Sequence, residues 1–245
     1  MKHLILIFFI VIPKIDAFAQ MTPENIKITD DLEVVKVSDH SWIHVSWSES
    51  PNFGRFSSNG LVFVDKGRAY LFDTPASDYL TSELNTWILT SLHSEIVAFV
   101  PNHWHEDCMG GLNFLKSIGV KSYASQKTIE IAKNKHLPIP DTGFADSLHL
   151  QANDKSIDCY YFGAGHSLDN IVVWIPSEKI LFAGCMAKAM NPQGLGNTVD
   201  GDLNEWPKTI DKVINKFKTA NTVIPGHGSW GGPELLQHTK DLLTK

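Results

Sequence analysis

The chain has 245 residues, 43% of them hydrophobic and 20% charged, with a formal net charge of −6. That balance excludes a disordered chain, and the absence of a basic excess argues against a nucleic-acid partner. A chain of this length buries roughly 70–75% of the surface its unfolded form exposes, so it needs neither disulfides nor a structural metal to fold.

At the amino terminus, Met1-Lys2-His3 gives a positive start, residues 4–12 form an unbroken apolar run, and Ala17-Phe18-Ala19 has the small-x-small form of a cleavage site. Residues 1–19 are expected to be a signal peptide, its apolar run too short to span a bilayer. Residues 20–245 are expected to form one soluble domain, exported to the periplasm, free of the membrane after cleavage and monomeric by default. Short alternating or apolar segments then predict strands over 33–37, 42–47, 60–65 and 68–73. Residues 77–92 have helical spacing, with Leu80, Leu84, Trp87 and Ile88 on one face and Ser77 or Asp78 as N-cap. Strand and helix alternate from there: strands over 96–100, 120–124, 157–162, 171–175, 180–182 and 222–224, helices over 111–118, 127–135, 205–218 and 234–243. An α/β fold with helices outside the sheets is implied.

Candidate ligands follow the apolar strands. After Ile96–Val100 comes His103-Trp104-His105-Glu106-Asp107. If the backbone stays extended there, His103 and His105 point the same way and Asp107 reaches beside them. His166 follows the strand over 157–162, Cys185 the strand over 180–182, and His227 the strand over 222–224, each beside a glycine that permits a tight turn. Singly, each has a bland reading as a structural histidine or a buried thiol. Together, imidazoles, one thiolate and one carboxylate form a natural donor set for two Zn2+ ions. His40, His44, His93, His136, His149 and His238 lack that setting and read as surface or structural. The three cysteines, Cys108, Cys159 and Cys185, are an odd, widely spaced set that reads poorly as a disulfide framework.

The pattern of His103, His105, Asp107, His166, Cys185 and His227, with Lys188 three residues after the cysteine and Asn197 beyond, resembles the class B metallo-β-lactamases, first subclass. It is close to the carbapenemases of that group that carry His-Trp-His-x-Asp-Cys. The likeness covers nearly the whole mature chain, including the Asp73-Thr74-Pro75 turn. It implies a four-layer αβ/βα sandwich of two similar halves with the metal site at one edge. By the same resemblance His103, His105 and His166 hold one zinc, and Asp107, Cys185 and His227 hold the second. Hydrolysis of the β-lactam ring of penicillins, cephalosporins and carbapenems, and hence antibiotic resistance, would follow, since zinc lowers the pKa of the water it holds from 15.7 to roughly 7. Asp107 would orient the hydroxide, Asn197 would stabilise the oxyanion, Lys188 would pair with the substrate carboxylate, and Phe53 would offer an apolar surface from a hairpin flap over 47–56. Asp73 would support the ligands from behind, with Cys108 packed beneath the site and Cys159 in the core. Related hydrolases of the fold, acting on lactones or thioesters, usually carry histidine where this chain has Cys108, which favours the lactamase reading. No Ser-x-x-Lys, Lys-Thr-Gly or Gly-x-Ser-x-Gly occurs to support a serine enzyme. An exported zinc-binding protein is the non-enzymatic alternative, but the chain has no His-rich tract.

Overall fold

The computed structural model describes residues 25–52, 54–191 and 194–244; the expected signal peptide lies outside them. The first sheet is formed by β1 (Asn25–Thr29), β2 (Leu32–Lys36), β3 (Ser41–Ser50), β4 (Gly54–Asp65), β5 (Arg68–Phe72), β6 (Glu95–Val100), β7 (Lys121–Ser125) and β8 (Thr142–Phe144), neighbours in that order. It is antiparallel as far as β5 and parallel from β5 to β8. The second sheet holds β9 (Ser147–Ala152), β10 (Lys155–Tyr160), β11 (Val172–Ile175), β12 (Ile180–Gly184) and β13 (Thr222–Pro225), with only β12 and β13 parallel. Helices α1 (Asp78–Ser91), α2 (Glu106–Met109), α3 (Leu112–Ser117) and α4 (Gln126–Asn134) belong to the first half of the chain, α5 (Trp206–Lys216) and α6 (Glu234–Leu243) to the second.

Strand alternation sorts the side chains into layers. On β5, Tyr70 and Phe72 face the core between the sheets, while Ala69 and Leu71 pack with Leu84, Trp87 and Ile88 of α1. On β12, Ile180 and Phe182 meet the same central core, and Leu181 and Ala183 face Trp206, Ile210 and Val213 of α5. Each of the larger apolar side chains among these contributes about 1.5–3 kcal/mol on leaving water, and the result is a helix, sheet, sheet, helix sandwich. Ser77 caps α1 as its sequence suggests, its Oγ accepting from Leu80 N at 3.2 Å.

Four elements were not expected: β1, α2, β8 and β9. β1 and β9 lie at sheet edges with few buried residues, so their apolar alternation is weak. β8 spans three residues and α2 one turn, both too short for a periodic signal. The first sheet has eight strands and the second five. No described helix is long and apolar enough to cross a membrane.

Ties join the two sheets at both ends. Near the carboxyl ends of β6, β12 and β13, Asn59 donates its side-chain amide to the carbonyls of Pro225 (2.9 Å) and Gly228 (2.8 Å). Asn102 Nδ2 donates to Ile171 O at 2.5 Å. At the far end of β4, Asp65 accepts from Asn153 of the β9–β10 turn (2.6 Å) and from Lys155 at the start of β10 (3.1 Å).

Candidate active site

The chain leaves β6 at Val100 and remains non-helical to His105, whose φ of −66° and ψ of 161° cap α2. Asp107 therefore comes in on the first turn of a helix, not on the continued extended backbone that the spacing assumed. His166 stands on the β10–β11 loop, Cys185 directly after β12, and His227 two residues after β13. His105 Nδ1 lies 2.8 Å from His103 Nε2 and 3.3 Å from His166 Nε2. Beside this group, Cys185 Sγ lies 3.3 Å from His227 Nε2 and 3.8 Å from Asp107 Oδ2, and those last two atoms are 3.3 Å apart. Asp107 Oδ1 is 4.0 Å from His103 Nε2, so the two groups adjoin.

The outer partners fix which ring nitrogens carry protons. His227 Nδ1 is 2.8 Å from the Ser57 carbonyl, which can only accept, so Nδ1 is protonated and the Nε2 lone pair faces Cys185. His105 Nε2 donates to Asp200 Oδ2 at 3.0 Å, which turns the Nδ1 lone pair inward. The Cys108 thiol bonds the Asp73 carboxylate, and its Sγ, 3.1 Å from His103 Nδ1, accepts the proton of that nitrogen. Lone pairs of His103 and His105 thus face each other with no proton between them. Burial, then the neighbouring imidazoles, push the His103 pKa well down. Burial first, with Lys188 and the other imidazoles behind it, pushes His166 down to about 2. Protonation cannot relieve such a cluster, whereas a cation can. Ligand atoms of Asp107, Cys185 and His227 also fall within 4.8 Å of one another, as do those of His103, His166 and Cys185. A thiol beside imidazoles suits zinc better than a harder ion, so the donor set fits zinc.

Similar proteins share this frame. The chain is 46% identical over 237 residues to a type 2 metallo-β-lactamase of Bacteroides fragilis, covering 97% of this chain and 95% of that one. It is 34% identical to a type 2 metallo-β-lactamase of Pseudomonas aeruginosa, over 85% of this chain and 83% of that one. The structure of a metallo-β-lactamase from Pontibacter korlensis superposes with a TM-score of 0.84 at 38% identity, covering 87% of this chain and 99% of that chain. The chain belongs to the class B metallo-β-lactamases. No family model matches it. Both the expected fold and the resemblance to the first subclass are borne out.

The metallo-β-lactamase cleft encloses about 650 Å³ between the β3–β4 hairpin, α2 and the loop from β12 to α5. Lys188 lines it although only 8% exposed. Its Nζ lies 5.3 Å from the Trp206 ring and makes no hydrogen bond or ion pair among the described residues. Burial lowers the Lys188 pKa, and Cys185 and Asp107 partly restore it. Asn197 lines the cleft from an exposed loop, its Oδ1 accepting from Val199 N at 3.2 Å, which leaves its amide nitrogen free for a ligand. Phe53 lies outside the described residues; Phe56 of the same hairpin lines the cleft, its ring 5.9 Å from that of His227. Asp73 is buried behind the candidate ligands and accepts from Asn102 N at 2.5 Å. Cys159 is core, as expected, and all three cysteines are free and buried. Sequence reasoning missed Asp200, which stands in a loop of turn residues where a carboxylate carries no pattern of its own.

Proposed function

We propose that this metallo-β-lactamase opens the β-lactam ring of penicillins, cephalosporins and carbapenems with two zinc ions and so confers antibiotic resistance. His103, His105 and His166 would hold one ion, and Asp107, Cys185 and His227 the other. Bound there, zinc supplies Lewis acidity and a water acidic enough to ionise near neutral pH. The observation that carries the reading is the facing, proton-free nitrogens of His103 and His105 beside an unpaired, buried ammonium in one cleft.

The protein's own groups divide the remaining work. Lys188 pairs with the carboxylate next to the fused ring and sets the lactam carbonyl over the ligand cluster. Asp107, standing between the two ligand groups, orients the attacking water and accepts its proton. The Asn197 amide donates to the carbonyl oxygen as negative charge grows there. When the C–N bond breaks, the nitrogen takes a proton, and Asp107 is placed to return the one it received. Phe56 and the rest of the hairpin cover the apolar part of the substrate and exclude water. Residues 1–19 export the chain, and residues 20–245 act in the periplasm as a monomeric single domain.

The test is to follow carbapenem absorbance with purified, zinc-loaded protein, with and without a chelator. Hydrolysis that the chelator abolishes and added zinc restores is the expected result. Loaded protein that opens no penicillin, cephalosporin or carbapenem overturns the reading.

A further inference from the structure

Four carboxylates and one ammonium line the described part of the cleft: Glu49, Glu106, Asp107, Asp200 and Lys188. Two of the carboxylates are engaged, Asp107 with His227 and Cys185, Asp200 with His105. Glu49 and Glu106 are exposed, and their carboxylates make no hydrogen bond or ion pair among the described residues. For Glu49 this is notable, because its cross-strand neighbour is Arg55. That guanidinium is instead held by Asp31 at 2.7 Å and lies 5.9 Å from the Trp47 ring. Glu49 on the hairpin and Glu106 on α2 thus put two uncompensated negative charges on the cleft wall, apart from the buried Lys188 that takes an anion.

We propose that this charge layout selects zwitterionic β-lactams, whose ring carboxylate meets Lys188 while a cationic substituent is drawn to Glu49 and Glu106. The inference rests on the β-lactamase reading of the cleft and names the substrate class within it. Both glutamates are solvated, so each pairing is weak and screened by salt. They act through substrate capture, lowering KM and leaving the ring-opening step alone. The same charges work against substrates with a second carboxylate, which adds discrimination by repulsion.

The test uses two cephalosporins that share one acylamino side chain and differ only in a neutral or a quaternary-ammonium substituent. The zinc-loaded native enzyme is compared with Glu49→Gln, Glu106→Gln and the double variant, at low salt and in roughly 0.5 M salt, where the screening length falls to about 4 Å. The expected result is a kcat/KM ratio that favours the cationic substrate through KM, and that falls about tenfold in the double variant. In the native enzyme, salt should shrink the ratio in the same direction. A ratio unchanged in the double variant overturns the proposal. Native enzyme that hydrolyses neither cephalosporin overturns the lactamase reading itself, and the two failures are thereby told apart.

Discussion

His44 sits beneath the site, 1% exposed, with Nε2 donating to the Asp73 carbonyl at 3.0 Å and Nδ1 without a partner among the described residues. The ring fits because β4 has glycine opposite it: a Cβ on Gly60 would lie 2.0 Å from His44 Nε2. Asp73 holds a left-handed φ of 58°, uncommon for a residue with a side chain, and His44 secures the carbonyl of that turn. Burial pushes the His44 pKa down to about 4, the bond to Asp73 offsetting only part of the fall. The unfolded chain titrates near 6.5, so between these values it binds more protons than the folded one. Stability therefore drops as pH falls from about 6.5 to 4, by about 3 kcal/mol from this residue. Urea unfolding of metal-free protein at pH 7 and pH 4.5 should show it, with a smaller pH difference in His44→Gln. An equal pH difference in both proteins would remove His44 as a cause. The sequence shows a histidine in a strand and supports a structural reading, but nothing local links it to a turn 29 residues away.

Among the elements, β12 and the β6–α2 connection meet most closely at Gly184 and Asn102. Gly184 has a φ of 55°, and a Cβ there would lie 2.3 Å from the Asn102 side chain. Asn102 is fully buried and joins the halves through Ile171 O and Asn170 Nδ2. Gly184→Ala should cost about 2–4 kcal/mol, from backbone strain and displaced buried hydrogen bonds. It should also weaken zinc binding, because Asn102 directly precedes His103. Urea midpoints and zinc competition with a chromophoric chelator measure the two effects; a midpoint within error of native would mean that the contact gives way freely. The proposed ligands were legible because each follows an apolar strand and three of the six, His166, Cys185 and His227, sit beside glycine. Asn102 and Asp200 were not, since their partners, Ile171 and His105, lie 69 and 95 residues away and only the sheet pairing brings them near.

At the scale of the molecule, the Asp65 clamp holds the sheets together far from the cleft. Burial pushes its carboxyl up, but hydrogen bonds from Asn153 and Lys155 and the charges of Lys155 and Lys66 outweigh it and hold the pKa below the usual range. A lowered carboxyl contributes stability that is present above about pH 4, the unfolded value, and is lost as pH falls through the folded one. Asp65→Asn should cost about 1–3 kcal/mol at pH 7, and its urea midpoint should converge with native in acid. A constant gap across that range would assign the loss to packing. The layered fold was legible because the buried strands are rich in apolar residues, whereas the edge strands β1 and β9 were hidden by their half-exposed faces.

The six proposed ligands are split evenly, His103, His105 and Asp107 from the first half of the chain and His166, Cys185 and His227 from the second. Ions held there are cross-links that only the folded chain offers, so the free energy of folding is tied to the supply of zinc. Above the dissociation constant of one site, each tenfold rise in free zinc adds about 1.4 kcal/mol, and each fall removes as much. The protein's lifetime against proteases then becomes a gauge of how much zinc its surroundings provide.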